Sequence, residues 1–239
     1  MEDHTEKYLY LVFTACVLCI VIILIVENMP VNIPLNNNII PFPSWRSEIT
    51  GIGPSISETN GRFIFTLPQD STGTSDGGIG GGLVSEFGLR GDFDVQVNYT
   101  LIEWPISNGV RAGIGARSDP LSGISNAMER TSFSEHDYLS NRENYVTDFG
   151  NPIITYTNDT SGTLRIVRSG STWSSYYFSG GVWKLHYQSS EGSTPDAYIF
   201  LGAWSHDSYF IHKTVRVALD NFVINKGHII WSDQQTTII

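Results

Sequence analysis

The sequence predicts an all-β protein in which two antiparallel sheets pack face to face as a jelly-roll sandwich. One observation is the alternation of apolar and polar residues in many short segments, which is the period of a half-buried strand. A second is the turn-rich composition, since the chain contains 23 glycines and 12% aromatic residues. A third is the absence of helical periodicity after residue 26. About a dozen strands with one apolar face each must bury those faces on one another, which favours two packed, curved sheets.

The clearest strand covers residues 91–101. Its apolar side chains are Phe93, Val95, Val97, Tyr99 and Leu101, and the polar ones between them are Asp94, Gln96, Asn98 and Thr100. A Trp-Pro pair ends this strand at residues 104–105, and Ser-Asn-Gly at residues 107–109 predicts a turn. Residues 110–116 alternate again, and their apolar positions are Val110, Ala112, Ile114 and Ala116. We therefore expect these two strands to pair as an antiparallel hairpin.

The remaining strands follow at short, even spacing. They are predicted at residues 61–67, 83–87, 128–133, 144–149, 162–168, 172–178, 182–187, 197–203 and 215–224. Residues 69–82 are rich in glycine and are predicted to be a loop. A phosphate-binding role is rejected, because a strand is predicted to follow and no Gly-Lys-Ser/Thr closes the loop. Asp70 and Asp76 are candidate ligands for calcium, although no recognised calcium-loop pattern contains them.

Residues 8–26 are predicted to be a transmembrane signal anchor. These 19 residues carry no charge, and at about 1.5 Å per residue they cover roughly 28 Å, close to the thickness of the bilayer core. A buried core helix, a cleaved signal peptide and a lipoprotein processed at Cys16 are the alternatives. The segment is longer than a usual signal-peptide core of ~7–15 residues, and no small-x-small cleavage site follows it.

The flanks of this segment predict the domain organisation. Lys7 precedes the span, and no Lys or Arg follows it until Arg46, so the positive-inside rule places residues 1–7 in the cytoplasm as a short tail. Residues 27–44 contain four prolines and an asparagine run and are predicted to be a linker. The β-sandwich domain, residues 45–239, is then expected outside the cytoplasm.

The charge and the cysteines of the chain limit its partners. The formal net charge is −10, and such an acidic surface repels phosphate backbones, so nucleic-acid binding is disfavoured. Cations and neutral sugars remain compatible partners. Both cysteines, Cys16 and Cys19, lie in the apolar N-terminal segment, so the predicted domain has neither a disulfide framework nor a cysteine metal site.

Several segments of the domain carry a family resemblance. They are residues 91–95 with 104–105, 109–113, 161–170, 176–177 with Trp183, and 217–222. Together they resemble the concanavalin A-like lectin and glucanase superfamily, particularly its poorly characterised bacterial and archaeal branches. The Leu-Arg-x-x-Arg-x-Gly run at residues 164–170 is the most specific part. The resemblance covers about residues 45–230 and implies a two-sheet jelly roll whose first and last strands are neighbours and whose concave sheet binds glycans.

The same resemblance argues against one class of enzyme. Catalytic members similar to family 16 glycoside hydrolases carry Glu, an aliphatic residue, Asp, two further residues and Glu on one strand, which places acid and nucleophile on one face for retaining chemistry. No such run occurs in this sequence, where Glu129 and Glu135 are six residues apart across a predicted loop. No cofactor is predicted.

The candidate ligand-binding residues are expected on or beside the polar face of the central strands. They are Arg111, Arg117, Glu129, Arg130, Tyr145, Trp204 and His206. An aromatic ring for stacking, with hydrogen-bonding side chains around it, would form a platform for a sugar. The structural alternative is that Arg111 and Glu129 form a cross-strand ion pair and that Trp204 lies in the core.

Other short motifs point less clearly to a function. Residues 90–92 spell Arg-Gly-Asp, but they start a predicted strand and precede a buried phenylalanine, which disfavours display on a loop tip. His206 and His212 lack a third metal ligand in pattern, and no Gly-x-Ser-x-Gly elbow supports a serine hydrolase. Asn98 and Asn158 begin glycosylation sequons at positions where side chains should face solvent.

Three functional hypotheses are consistent with the sequence. The first is a membrane-anchored, non-enzymatic module that binds carbohydrate or another cell-surface polymer. The second is a polysaccharide hydrolase or lyase that uses an unfamiliar pair such as Glu129 with Glu135 or His136. The third is a structural envelope or adhesion protein, which would show a broad exposed apolar patch instead of a polar groove.

Overall fold

Antiparallel strands make up the regular structure of the domain. The computed structural model describes residues 45–119, 126–132, 143–148, 153–189 and 195–231, and within these ranges the regular elements are thirteen strands. In chain order they are β1 (Trp45–Thr50), β2 (Ser55–Thr59), β3 (Arg62–Leu67), β4 (Gly78–Glu103), β5 (Arg111–Arg117), β6 (Asn126–Thr131), β7 (Asn144–Asp148), β8 (Ile153–Tyr156), β9 (Ser161–Ser169), β10 (Thr172–Ser179), β11 (Val182–Ser189), β12 (Ala197–His206) and β13 (Val215–Trp231).

The long strand β4 belongs to two sheets. Its first half pairs with β1, with β12 and, at residues 87–90, with the end of β13, and its second half pairs with the rest of β13 and with β9. We call the sheet β1–β4–β12–β5–β6–β7–β8 sheet I and the sheet β2–β3–β13–β4–β9–β10–β11 sheet II. Every described strand pair is antiparallel. The all-β, antiparallel prediction is therefore confirmed.

The core lies between the two sheets and is built by the alternation that the sequence predicts. Phe93, Val95 and Val97 of β4 are each 0% exposed, and they pack with apolar side chains of sheet I such as Ile114 and Leu201 in one cluster. Asp94, Gln96 and Asn98 alternate with them on the opposite face. At about 25 cal/mol per Å² of apolar surface, this burial is the main favourable contribution to folding.

The predicted hairpin between residues 91–101 and 110–116 is wrong. The second half of β4 lies in sheet II, whereas β5 lies in sheet I and pairs with β12 and β6. The connecting residues therefore cross from one sheet to the other. An arch between sheets and a hairpin within a sheet produce the same local alternation, because both join two half-buried strands through a turn.

Other predicted elements agree with the structure, with two differences. Each predicted strand overlaps an observed one, whereas β1, β2 and β8 had no strand prediction of their own. Residues 78–82, which were predicted to belong to a glycine-rich loop, form the start of β4 and pair with β1 and β12. Glycine suits these positions because neighbouring residues occupy the space in which a side chain would lie.

The Arg-Gly-Asp sequence at residues 90–92 forms the bend where β4 passes from sheet I to sheet II. Gly91 has φ +67°, a left-handed conformation that glycine adopts without a steric penalty. Arg90 donates two hydrogen bonds to Asp196 at 3.0 and 2.9 Å, and Asp92 accepts the backbone N–H of Gly170 at 2.7 Å. The tripeptide is thus tied to its neighbours within the fold.

Arg168 of β9 holds this bend from the inside. The side chain is buried, and its guanidinium donates to the backbone oxygens of Leu89, Gly91 and Pro195. It lies over the rings of Phe93 and Trp173, with Cζ 4.8 and 5.4 Å from their centroids. Burial lowers the pKa of this group, and the nearby Asp196 and Asp92 partly oppose the shift. Only arginine can supply several planar donors to carbonyls and stack on aromatic rings at once.

The predicted membrane segment, residues 8–26, and the linker, residues 27–44, lie outside the described residues. Among the residues that the structure describes, no helix is long and apolar enough to cross a membrane. The membrane anchor therefore stays a prediction from the sequence.

We expect Arg168→Met to lower the free energy of unfolding by about 2–4 kcal/mol, because up to three backbone carbonyls would lose their donor in a buried place. The matched control is Arg90→Met at the same bend, because the Arg90 side chain is largely exposed and its loss should lower the free energy of unfolding much less. Urea denaturation of the wild type and both variants measures these differences. Equal stability of the two variants would contradict the assigned role of Arg168.

Candidate functional site

The outer face of sheet I carries a line of aromatic side chains along β12. Tyr198, Phe200, Trp204 and His206 occupy alternate positions of this strand, with Gly202 between the second and third. Ile199 and Leu201 point into the core instead. From Tyr198 to His206 the line covers eight residues, or roughly 26 Å at ~3.3 Å per residue. We call this surface, with the arginines beside it, the β12 face.

A row of glycines forms the floor beneath the rings. Gly82 of β4, Gly202 of β12 and Gly113 of β5 are consecutive cross-strand partners. The ring of Phe200 lies on this floor, because a Cβ added at Gly82 would be 2.1 Å from Phe200 Cε2. Trp204 packs edge-on against Phe200, with ring centroids 5.2 Å apart. Gly82 and Gly202 therefore allow the Phe200 ring to lie close to the sheet, whereas a Cβ at Gly113 would meet backbone atoms of β6 and a side chain of β9.

Two arginines border the aromatic line, and each has a carboxylate partner. Arg117 donates to Glu48 at 2.9 Å, and its Cζ lies 4.7 Å from the centroid of the Phe200 ring. Arg111 is the cross-strand partner of Trp204, and its Nη1 is 3.3 Å from Oε2 of the buried Glu129. The structure thus places five of the predicted residues, Arg111, Arg117, Glu129, Trp204 and His206, on the β12 face.

Trp204 and His206 differ in how firmly they are held. His206 at the end of β12 contacts the backbone oxygen of Asp76 through Nε2 at 2.7 Å and Ser208 Oγ through Nδ1 at 2.8 Å. Trp204 is half-buried and does not belong to the core cluster. The structural alternative is thus met in part, because Arg111 and Glu129 form the expected ion pair whereas Trp204 does not lie in the core cluster.

The spacing of carboxylates on this face does not fit a glycosidase pair. Glu48 and Glu129 stand at the two ends of the glycine row, four strand spacings apart. At ~4.8 Å per spacing their backbones are roughly 19 Å apart. Retaining and inverting glycosidases need carboxyl groups separated by about 5–5.5 Å and 6.5–9.5 Å. Glu135 and His136, the other members of the predicted acidic pairs, lie outside the described residues.

The prediction that Arg130 and Tyr145 share this face is wrong. Both side chains point from sheet I into the space between the sheets. Tyr145 belongs to the core cluster, and its hydroxyl is 2.7 Å from that of Tyr99 in sheet II. Arg130 is the cross-strand partner of Ala112, which also faces the core. Because side chains alternate along a strand, Arg130 must lie opposite its neighbour Glu129.

Arg130 and Tyr145 take part in a buried polar cluster at one end of the core. Arg130 forms an ion pair with Glu143 at 2.8 Å, and Glu143 also accepts Trp104 Nε1–H at 2.7 Å. The Tyr145 hydroxyl donates to Asp159 at 2.9 Å. These partners satisfy the polar atoms where they are removed from water, so the cluster has a structural role.

The pKa values in this cluster follow from burial and hydrogen bonding. Burial raises the pKa of Tyr99 to about 12 and also raises the pKa of Tyr145. Burial alone would raise the pKa of Asp159, but hydrogen bonds from Tyr145, Ser179 and Thr157 outweigh it and lower this pKa. The tyrosines therefore stay neutral and the carboxylate stays charged near neutral pH.

His186 of β11 extends the polar region toward the open edge of the sandwich. Its Nδ1 is 2.6 Å from Thr147 Oγ1, and Nε2 is a buried atom without a hydrogen-bond partner in the described part of the chain. The ring of Tyr177 lies 5.9 Å away. Burial lowers the pKa of His186 from 6.5 to about 4, so the ring is neutral at physiological pH.

The structure also describes the residues of the predicted calcium site and of the two glycosylation sequons. Within the described ranges, no group of three or more His, Cys, Asp or Glu side chains could hold a metal ion. Asp76 instead accepts a hydrogen bond from Thr74, and calcium binding by Asp70 and Asp76 stays an untested prediction. Of the two sequons, Asn158 is exposed, whereas Asn98 is half-buried and accepts a hydrogen bond from Thr163 at 2.8 Å.

Comparison with known proteins shows the fold and leaves the family open. No protein-family model matches the sequence, and no curated protein matches it significantly. A Bacillus licheniformis β-glucanase is similar in structure with a TM-score of 0.51 and 13% identity, over 80% of this chain and 94% of that one. A β-1,3-1,4-glucanase (lichenase) from a mouse hindgut metagenome has a TM-score of 0.52 and 9% identity, over 75% and 92% of the two chains.

A lyase shares the same architecture. An alginate lyase of polysaccharide lyase family 7 has a TM-score of 0.52 and 10% identity, over 77% of this chain and 94% of that one. The chain therefore has the jelly-roll fold of glucanases and alginate lyases, as the resemblance in the sequence implied. Identities this low show a shared fold and no more.

We expect the stability of the protein to fall by about 1–2 kcal/mol between pH 6.5 and pH 4.5 because of His186. Its folded-state pKa lies below its unfolded value, so the stability is full above pH 6.5 and is lost as the unfolded ring gains a proton. The magnitude is discounted for the partial exposure of the ring. Urea denaturation at several pH values should show a smaller loss for His186→Gln, and parallel curves would contradict the prediction.

Proposed function

We propose that the domain is a non-catalytic binding module that holds a polysaccharide along the β12 face. The observation that carries this proposal is the aromatic line bordered by Arg111 and Arg117, in which Tyr198, Trp204 and His206 are partly exposed, whereas Phe200 is buried and supports the Trp204 ring. A pyranose ring presents apolar C–H groups on its faces and hydroxyls around its edge. An aromatic ring such as that of Trp204 can stack on the C–H face of the sugar, and arginine and carboxylate groups can form hydrogen bonds with its hydroxyls.

The pairing of charges on the β12 face favours an uncharged polymer. Arg117 is matched by Glu48, and Arg111 is matched by Glu129, so neither guanidinium presents an uncompensated charge to a ligand. The whole chain also carries a formal net charge of −10, which repels an anionic polymer. An uncharged glycan needs no unpaired positive charge and is not repelled by the acidic protein.

The location of the module is part of the same proposal and rests on the sequence. The uncharged residues 8–26 would anchor the chain in a membrane, with residues 27–44 as a spacer. The domain would then bind polymers outside the cytoplasm. Protease protection of intact cells or vesicles tests this orientation, since cleavage of the domain from the outside supports it and full protection contradicts it.

A polysaccharide hydrolase or lyase is the second candidate. It is favoured by the activities of the structurally similar proteins, a β-1,3-1,4-glucanase and an alginate lyase. The separation of Glu48 and Glu129 argues against a glycosidase that uses these two groups. Two assays test this candidate: release of reducing ends from β-1,3-1,4-glucan and release of unsaturated products from alginate. Either activity in the wild-type protein, together with its loss in Glu129→Gln, would favour an enzyme over the binding module.

We expect Trp204→Ala to raise the Kd for soluble β-1,3-1,4-glucan roughly ten- to thirtyfold, which corresponds to about 1.4–2 kcal/mol. The reason is the loss of the ring that stacks on a sugar. Isothermal titration calorimetry on the full-length chain measures the effect. Trp231→Ala is the matched control, because Trp231 is 60% exposed at the end of β13 and lies off the β12 face. An unchanged Kd for Trp204→Ala would contradict the proposed site.

We expect β-1,3-1,4-glucan to bind at least about tenfold more tightly than alginate at low ionic strength, because the acidic protein repels the carboxylates of alginate. The difference should shrink near 1 M salt, where the Debye length is about 3 Å. Affinity electrophoresis with each polymer in the gel compares them directly. Tighter binding of alginate at low salt would contradict the assignment of an uncharged ligand.

A further inference from the structure

We propose that the outer face of sheet II is a second binding site for an uncharged polysaccharide, so that one molecule can bridge two polymer chains. This inference goes beyond the proposed function, which places a single site on sheet I. We call this surface the β11 face, and it consists of Arg165 of β9, Tyr176 and Phe178 of β10, and Trp183 and Leu185 of β11.

The β11 face is ordered by two adjacent cross-strand rows. In one row Asn98, Thr163, Phe178 and Trp183 lie side by side on β4, β9, β10 and β11. In the next row Gln96, Arg165, Tyr176 and Leu185 occupy the same four strands. Polar groups therefore lie on the two inner strands, and large apolar groups lie on the two strands nearest the edge.

The aromatic part of this face is accessible to solvent. Phe178 and Trp183 are each 36% exposed, and Leu185 is 55% exposed. The two rings pack edge to face with centroids 5.3 Å apart, so they form one continuous platform. Exposed rings rimmed by polar side chains are typical of a binding surface.

Arg165 links the aromatic and polar parts. Its guanidinium donates to both carboxylate oxygens of Asp94, and its Cζ lies 5.4 Å from the Tyr176 ring and 5.1 Å from the Trp183 ring. The hydrogen bonds that Arg165 donates to Asp94 raise the pKa of Arg165. The side chain is thus fixed before a ligand arrives, which lowers the entropy cost of binding.

The same pairing determines the charge of the ligand. Asp94 neutralises Arg165, so the centre of the β11 face has no net charge to attract an anionic polymer. Asn225 donates to Asp94 at 3.1 Å and to Gln96 at 2.9 Å, which brings further amide groups to the surface. Primary amides carry two donors and an acceptor with two lone pairs, and they suit the hydroxyls of an uncharged sugar.

The two binding faces point away from each other. The β12 face is the outer surface of sheet I and the β11 face is the outer surface of sheet II, with the common core between them. Packed sheets lie about 10 Å apart, and each face adds its side chains outward. A polymer that lies flat on one face does not cover the other, so the two sites can hold separate chains.

The test uses the full-length chain, produced in a bacterial host so that Asn98 carries no glycan. The probe is soluble β-1,3-1,4-glucan, and the readouts are calorimetric stoichiometry and the light scattering of the mixture. The variants are Tyr176→Ala with Trp183→Ala for the β11 face, Trp204→Ala for the β12 face, and Trp231→Ala as the matched control. Thermal unfolding shows that each variant is folded.

The proposal expects two glucan sites per wild-type chain and a rise in light scattering as glucan chains become bridged. The double variant should keep one site and lose the excess scattering, while Trp231→Ala should behave as the wild type. If the β12 face does not bind glucan, the wild type should show one glucan site. That site should be absent from the double variant and present in Trp204→Ala. This last result would overturn the proposed function and support the β11 face.

Three results would overturn the second site. The first is unchanged stoichiometry and scattering in the double variant. The second is the absence of glucan binding to any form of the protein. The third is that the double variant changes only self-association in sedimentation experiments without glucan, which would assign the exposed rings to contact with a second copy of the chain.

Discussion

The fold depends on a single strand that serves both sheets and on the buried arginine that holds its bend. β4 contains 26 residues and passes from sheet I to sheet II at residues 88–92. There Gly88 and Leu89 still pair with β12 and β13, and the left-handed conformation of Gly91 marks the bend. Arg168 donates hydrogen bonds to backbone carbonyls of the bend from inside the core, and the rings of Phe93 and Trp173 surround its charge. A buried guanidinium is costly unless it is hydrogen-bonded, and each of the three nitrogens of Arg168 donates to a backbone carbonyl.

The arrangement of the two candidate faces follows from this shared strand. Because β4 contributes one face of its alternating side chains to the core in both halves, its other face remains outside in both sheets. Gly82 therefore lies under the aromatic line of sheet I, and Asp94, Gln96 and Asn98 lie among the polar rows of sheet II. The fold places potential binding groups on opposite surfaces while it keeps a single core.

Local sequence pattern predicted ten of the thirteen described strands but was insufficient to predict their partners. The alternation through residues 91–101 identified the buried side chains, because burial on one face is a local property. Pairing is not local: β5 follows β4 in the chain but lies beside β12, which comes some eighty residues later. For that reason a hairpin and an arch could not be distinguished.

Two of the predicted site residues, Arg130 and Tyr145, were assigned to the wrong face, and the error for Arg130 was avoidable. Glu129 and Arg130 are consecutive in a strand, so the period of two already excludes a common face. The face on which Tyr145 lies is harder to predict, because a tyrosine can bury its ring and still form hydrogen bonds through its hydroxyl. Here the hydroxyl bonds with Tyr99 and Asp159. Tyr198 and Phe200 lie on the face opposite Ile199, as alternation requires, but only the structure shows that the Phe200 ring occupies the space above Gly82.

The length of β4 also has a consequence for how the chain folds. Its partners come from β1 near the start of the domain and from β9, β12 and β13 far along it, so neither sheet can be completed while the other is absent. Pairings between such distant segments require large loops to close first, which slows folding. The two layers should consequently form and melt in one concerted step, as a single cooperative unit.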